Sequence, residues 1–254
     1  MSGAGPVKPS VGACATTVLS IDTAVDAIQT GKAKVMLAGG VDDFYEEPST
    51  EFAAMGATSN TLDEYACGRE PSEMCRPCTS TRNGFMEGQG AGVAVLMSAS
   101  TAIACGAPIY GIIGMSATAT DKNGRSVPAP GKGILTSARE APGATAAPLR
   151  QLSIAHRRRA FETQLRMLDA WRADELALLA EDENAAARAE IDEQYADQRR
   201  ALQDKLGNEF WKRTPAISPL RGSLAVWGLA ADDIGLASFH GTSTKANDLN
   251  ESEV

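Results

Sequence analysis

Val11-Gly12-Ala13-Cys14-Ala15-Thr16-Thr17 opens the stretch whose reading decides the fold. Past Cys14, the residues Val18, Ile21, Val25 and Ile28 recur at three- and four-residue steps, and Gly31 supplies a stop. That period predicts a helix over 14–31. Lys34-Val35-Met36-Leu37-Ala38 follows as a short buried strand ending at Gly39-Gly40. A helix feeding directly into a strand points to an α/β layered core.

The same alternation continues along the chain. Residues 41–87 are loop-rich, and Gly88-Gln89-Gly90-Ala91-Gly92 leads into Val93-Ala94-Val95-Leu96-Met97, which reads as a central strand. A helix is predicted over Ser98–Cys105 and a further strand over Ile109–Met115. From Ala119 to Pro148, Gly and Pro interrupt every periodic pattern, as in an ordered loop followed by a linker. Residues 150–213 differ in kind: Arg, Glu, Asp, Ala and Leu dominate, with apolar stripes at Phe161, Leu165, Leu168, Trp171 and at Ile191, Tyr195, Leu202, Leu206. This spacing predicts a helical hairpin with solvated charged faces. The globular pattern returns with a helix over Leu220–Trp227 and a strand over Ile234–Phe239 that delivers His240 at its end. The domain division read from these shifts is 1–149, 150–213 and 214–254.

Composition narrows the function classes. A net charge of −8 argues against a general nucleic-acid-binding role, which calls for a positive surface. No apolar run reaches the length of a membrane span, and Met1-Ser2-Gly3-Ala4-Gly5-Pro6 lacks the apolar core of a secretory signal. Five cysteines are an odd number without the density of a disulfide scaffold, so a reducing, cytoplasmic setting is expected.

Two residues carry specific chemistry. A thiol at a helix start lies near unpaired backbone N–H groups and the positive end of the dipole, and both favour the nucleophilic thiolate. Cys14 fits that reading, flanked by the small residues Gly12, Ala13 and Ala15, and a buried structural cysteine is the competing one. His240, before Gly241-Thr242-Ser243-Thr244, could polarise a thioester carbonyl or transfer a proton, against the alternative of a satisfied core histidine. Other groups read as structural. His156 and the Arg157-Arg158-Arg159 cluster fall on a solvated helix face. Cys75-Arg76-Pro77-Cys78 has the spacing of half a zinc site, but no second Cys or His pair is near in sequence, so no metal site is expected. The 88–92 glycines fit no phosphate-loop pattern and read as close backbone packing.

Several segments together resemble the β-ketoacyl synthase domain of fungal type I fatty acid synthase, which is carried on that enzyme's α subunit. They are Val11–Thr16, Gly39-Gly40-Val41-Asp42-Asp43-Phe44, Ala57-Thr58-Ser59-Asn60-Thr61-Leu62, Thr81-Arg82-Asn83-Gly84-Phe85-Met86-Glu87, Ala117–Lys122, Gly124–Thr136 and Ser238–Asp248. The charged helical segment before Pro215 also resembles the fungal form, as an insertion that compact bacterial condensing enzymes lack.

The resemblance implies a thiolase-like layered fold, incomplete here, and decarboxylative Claisen condensation. Cys14 would accept the acyl chain as a thioester and contribute its N–H to an oxyanion hole, and His240 would be the first of two active-site histidines. Met55 would contact the acyl chain, Thr242 and Thr244 would position the carrier's phosphopantetheine arm, and Asp248 and Glu251 would brace the loop. Implied partners are acyl carrier protein, the α and β synthase subunits and a second synthase domain in a dimer. No bound cofactor is implied. The family's second histidine, its lysine and a glycine-rich gating loop are expected beyond Val254, and opening strands before Cys14, so a fragment with little activity of its own is expected. Two alternatives stay open: a synthase dedicated to polyketide starter units, and a non-catalytic scaffold whose working part is the helical segment.

Overall fold

The computed structural model describes residues 5–120, 138–140, 149–179 and 185–252. The expected loop and linker between Ala119 and Pro148, and the matching stretch Gly124–Thr136, lie largely outside the described residues. The chain divides into two compact units, Met1–Ile134 with Ser238–Val254, and Leu135–Ala237.

In the first unit, a 3-10 turn over Ala13–Ala15 runs into helix α1, Thr16–Gln29, which ends as Gly31 takes a positive φ of 72°. Strand β1, Val35–Asp42, pairs antiparallel with β2, Gly90–Met97, placing Leu37 opposite Val95 and Gly39 opposite Val93. The face of α1 set against β1 carries small side chains. Ala24 and Ala27 are fully buried, whereas Val18 is more than half exposed. Ser20 Oγ lies 3.1 Å from the Gly39 carbonyl oxygen. Gly39 and Gly40 therefore fall inside the strand rather than closing it. A Cβ on Gly39 would meet the Gly92 carbonyl oxygen at 2.2 Å, while Gly88, Gly90 and Gly92 themselves face open space. Close packing does occur at this sheet, and Gly39 permits it between the strands as Gly40 does against α1.

Three short helices punctuate the stretch expected as loops: α2 (Glu46–Ala54), α3 (Thr61–Ala66) and α4 (Pro71–Met74). Helix α5, Ala99–Cys105, starts at Ser98, whose Oγ accepts from Thr101 N, and ends at Gly106 in the left-handed region. The predicted strands at Ile109–Met115 and Ile234–Phe239 do not form. A strand exists through ladder partners, and among the described residues neither segment has one. His240 is thus delivered by extended chain after a 3-10 turn at Ala231–Asp233, not by a strand end. Among the described residues the sheet has two strands, and Leu37, Val41, Val93 and Val95 on it are largely exposed.

The second unit is helical. A short turn of helix α6, Leu149–Leu152, precedes α7 (Ile154–Ala177) and α8 (Ala185–Leu206), and α9 (Pro219–Val226) follows. The apolar stripes bury Leu168 and Leu202 and half-bury Phe161, Leu165, Trp171, Ile191, Tyr195 and Leu206. Tyr195 Oη donates to Asp169 Oδ1 at 2.7 Å, which holds the phenol's pKa above its ordinary value. Arg172 pairs with Asp192 at 2.7 Å and lies over the Tyr195 ring at 5.2 Å.

The basic triplet corrects the expectation of a solvated face. His156, Arg158 and Arg159 are exposed, but Arg157 is 4% exposed. Its Nη1 donates to the Gln151 carbonyl oxygen at 2.6 Å and its Nη2 to that of Ala225 at 2.7 Å. The guanidinium also lies 3.9 Å over the Phe210 ring, at the core formed by Phe210, Ile217 and Ala225. Burial pulls this guanidinium's pKa below its usual value. Among the described residues, carbonyl bonds and the ring face rather than a carboxylate offset its desolvation.

Candidate active site

Cys14 sits within the 3-10 turn that precedes α1, and its neighbour Ala13 takes a left-handed φ of 49°. Non-glycine residues enter that region only where the surroundings impose it. Here Thr16 imposes it: Gly12 N donates to Thr16 Oγ1 at 3.0 Å, and the same hydroxyl donates to the Ala13 carbonyl oxygen at 2.7 Å. At Gly12 a Cβ would meet Leu19 Cδ1 at 2.1 Å, so the end of the Leu19 side chain would have to shift to admit one. The result is a tight elbow that presents an exposed Cys14 thiol, as do the other four cysteines. The reading of Cys14 as a buried structural cysteine does not hold in this structure.

His240 is exposed as well. Its backbone is held firmly: His240 N donates to Glu251 Oε1 at 2.6 Å and Gly241 N to Glu251 Oε2 at 2.9 Å. Glu251 lies on helix α10, Lys245–Ser252, so one carboxylate ties the helix to the chain that carries the histidine. Asn247 Nδ2 also donates to Glu251 Oε2, at 3.0 Å. The Thr242 and Thr244 hydroxyls lie 2.9 Å apart, and Thr244 Oγ1 accepts from Asn247 N at 3.4 Å. Met55, at the end of α2, is 52% exposed. Cys14 and His240 belong to the same unit, but no hydrogen bond joins their side chains.

Beneath the histidine loop lie Asp248, expected as a brace, and three residues that sequence reasoning missed, Ser243, Arg76 and Glu64. Ser243 is fully buried with φ 59°. Its Oγ accepts from Arg76 N at 3.1 Å and its carbonyl oxygen accepts from Gly84 N at 2.8 Å. Asp248 is buried, and its Oδ2 accepts from Cys78 N at 2.8 Å and stands 3.5 Å from Arg82 Nε. Asp248 Oδ1 has no partner among the described residues. Arg82 Nε also donates to the Thr244 carbonyl oxygen at 3.3 Å.

The turn that supplies these donors is set by Arg76. Its Nη1 and Nη2 donate to Glu64 Oε2 and Oε1, each at 2.8 Å, and Nη1 also donates to the Met74 carbonyl oxygen at 2.9 Å. Arg76 Nε donates to Thr81 Oγ1 at 3.0 Å, and Nη2 reaches the Thr81 carbonyl oxygen. Glu64 is 2% exposed, with Arg69 at 3.2 Å as a second cation. The Arg76 hydrogen bonds hold the Glu64 carboxyl below the ordinary carboxylate pKa. Cys75-Arg76-Pro77-Cys78 thus acts through Arg76, Pro77 and the Cys78 backbone N–H: Pro77 Cγ lies 3.4 Å from where a Gly241 Cβ would stand, and both cysteines are exposed. Among the described residues, no three His, Cys, Asp or Glu side chains are grouped so that they could hold a metal. Also among them, no helix is long and apolar enough to cross a membrane.

Residues 2–102 match the model of the β-ketoacyl synthase N-terminal domain family. The chain is 52% identical over 99% of its length to fatty acid synthase subunit alpha of Saccharomyces cerevisiae. It is 52% identical over its full length to the corresponding subunit of Schizosaccharomyces pombe, and 49% identical to fatty acid synthase apf5 of Gibberella fujikuroi. It spans 14% of the length of each alpha subunit and 17% of apf5. Among solved structures, a β-ketoacyl synthase from Burkholderia phymatum aligns with a TM-score of 0.34 and 34% identity, covering 37% of this chain and 22% of that one.

Proposed function

We propose, from a chain about half identical to fungal fatty acid synthase α subunits along nearly all its length, that it carries the acyl-accepting segment of a β-ketoacyl synthase. That identity, over a matched length that covers 99% of the chain, is the observation that carries the reading.

The chemistry proposed is the one the family resemblance implies for these residues. The Cys14 thiolate attacks the thioester carbonyl of an acyl chain on the phosphopantetheine of acyl carrier protein, and the carrier thiol leaves. The Cys14 N–H supplies part of the oxyanion stabilisation. Malonyl-carrier then loses CO2, and the electron pair of the broken C–C bond becomes an enolate that His240 stabilises. Its carbon attacks the acyl-Cys14 thioester, releasing the Cys14 thiolate and forming 3-oxoacyl-carrier. Met55 contacts the acyl chain, and Thr242 and Thr244 guide the pantetheine arm. Thr242 and Thr244 already bond one another, so they meet that arm as a paired, pre-oriented unit.

The layered arrangement is thiolase-like, with 1–149 and 214–254 as the synthase core and 150–213 as a charged helical insertion. The setting is cytoplasmic. The partners are acyl carrier protein and the α and β subunits, with paired synthase domains.

The decisive experiment is Cys14→Ala in the whole α subunit, assembled with its β partner. Loss of fatty acid synthesis, with selective labelling of Cys14 over the other four cysteines by a condensing-enzyme inhibitor, is expected. Retained synthesis would remove Cys14 as the nucleophile, and indiscriminate labelling would favour a scaffold. The isolated 254-residue chain, whose Cys14 and His240 are both exposed, is expected to show no condensation.

A further inference from the structure

We propose that the buried Glu64–Arg76 pair is the positioning element of the His240 loop, acting through the turn 76–84 and the Ser243 anchor. The inference rests on the proposed role of His240, and it assigns a function to residues that touch no substrate.

The geometry runs in one direction. Glu64 takes both arms of the Arg76 fork, and the same guanidinium reaches Met74 and Thr81. One planar cation therefore fixes both ends of a short turn, which an ammonium cannot do because it lacks the fork. The turn so fixed presents a row of backbone N–H donors. Arg76 N reaches Ser243 Oγ, Cys78 N reaches Asp248 Oδ2 and Gly84 N reaches the Ser243 carbonyl oxygen. Ser243 needs this support, since it is fully buried and left-handed without being glycine. It lies three residues beyond His240, so the conformation imposed there sets the course of the chain on which the imidazole hangs. Glu251 grips that chain from the helix side, and the Glu64–Arg76 turn grips it from the other.

The test uses the two histidines of the full chain as reporters, His240 for the loop and His156 in the helical unit as the internal control. With histidine isotopically labelled, Arg76→Lys keeps the charge and removes the fork. It is expected to move the His240 ring signal and the Gly241 amide signal, leaving His156 in place. Ser243→Ala is expected to move the same signals, and the double variant to move them no further than the larger single change, because both act on one linkage. A folded Arg76→Lys chain with His240 unmoved overturns the proposal, as does simple additivity. If Arg76→Lys unfolds the chain, Ser243→Ala decides alone: displaced His240 signals support the linkage and unmoved ones overturn it. In the assembled synthase, Arg76→Lys is expected to lower condensation kcat by about 10- to 100-fold while Cys14 still becomes acylated. Equal loss of acylation and condensation would overturn the positioning role. Failure of the family reading shows separately, as retained synthesis in Cys14→Ala, and leaves the histidine signals of the isolated chain untouched.

Discussion

Thr17 and Gly40 compete for one space: a Cβ on Gly40 would stand 2.1 Å from Thr17 Oγ1. The helix that begins just past Cys14 therefore seats directly on β1, and the elbow inherits its position from that contact.

Gly40→Ala is expected to destabilise the first unit by about 1–3 kcal/mol, the usual cost of overpacking a close contact. Hydrogen exchange of the α1 amides would report it as faster opening. Thr17→Ala in the same chain removes the clashing hydroxyl and should recover part of the loss. Equal exchange in Gly40→Ala and the parent chain would show that helix and strand can separate freely.

Acid should loosen the turn beneath the histidine. The Arg76 hydrogen bonds lower the Glu64 pKa, so its contribution is fully present above the ordinary value of about 4.5 and is lost as pH falls through the lowered one. Protection of the Cys78 and Gly84 amides, corrected for intrinsic exchange, is expected to decline below that range. In Glu64→Gln the decline should be shallower, because the carboxylate that loses its Arg76 hydrogen bonds on protonation is gone. Parallel curves for the two chains would assign the acid response elsewhere.

Arg157→Met should unfold the helical unit more easily, by about 2–4 kcal/mol, since it removes the guanidinium's hydrogen bonds to the Gln151 and Ala225 carbonyls and strips the cation from the Phe210 face. Trp171, Trp211 and Trp227 all lie in that unit, so denaturant titration followed by tryptophan fluorescence reads it directly. Arg157→Lys, able to reach one carbonyl but not both, should fall between. Unchanged midpoints would mean that the buried cation contributes nothing net.

Much of the local structure was legible from period and punctuation. Helix α1, β2, α5, the hairpin of α7 and α8, and α9 all formed close to where the sequence placed them. The errors share one cause, which is that their partners are distant. Ile109–Met115 and Ile234–Phe239 have the composition of strands, but composition cannot name a pairing edge. Arg157 looked like one more surface cation because Phe210 and Ala225, which make its burial tolerable, lie far along the chain. At the site, Cys14 and His240 were visible as residue types in suggestive surroundings. Asp248 and Glu251 were expected to brace the His240 loop, but the supports at Glu64, Arg76 and Ser243 were not visible, since these gain meaning only from one another.

That separation has a consequence for how the site comes into being. The Glu64–Arg76 contact spans 12 residues, whereas the bonds from Arg76, Cys78 and Arg82 to the histidine segment span 162 to 170. Closing a loop of that size costs more entropy than closing the local one, and contacts of such separation form slowly. On a ribosome, the turn is complete long before Ser243 is synthesised. The histidine segment then arrives at a surface whose donors are already aligned, so the last step of assembly is a docking event rather than a search.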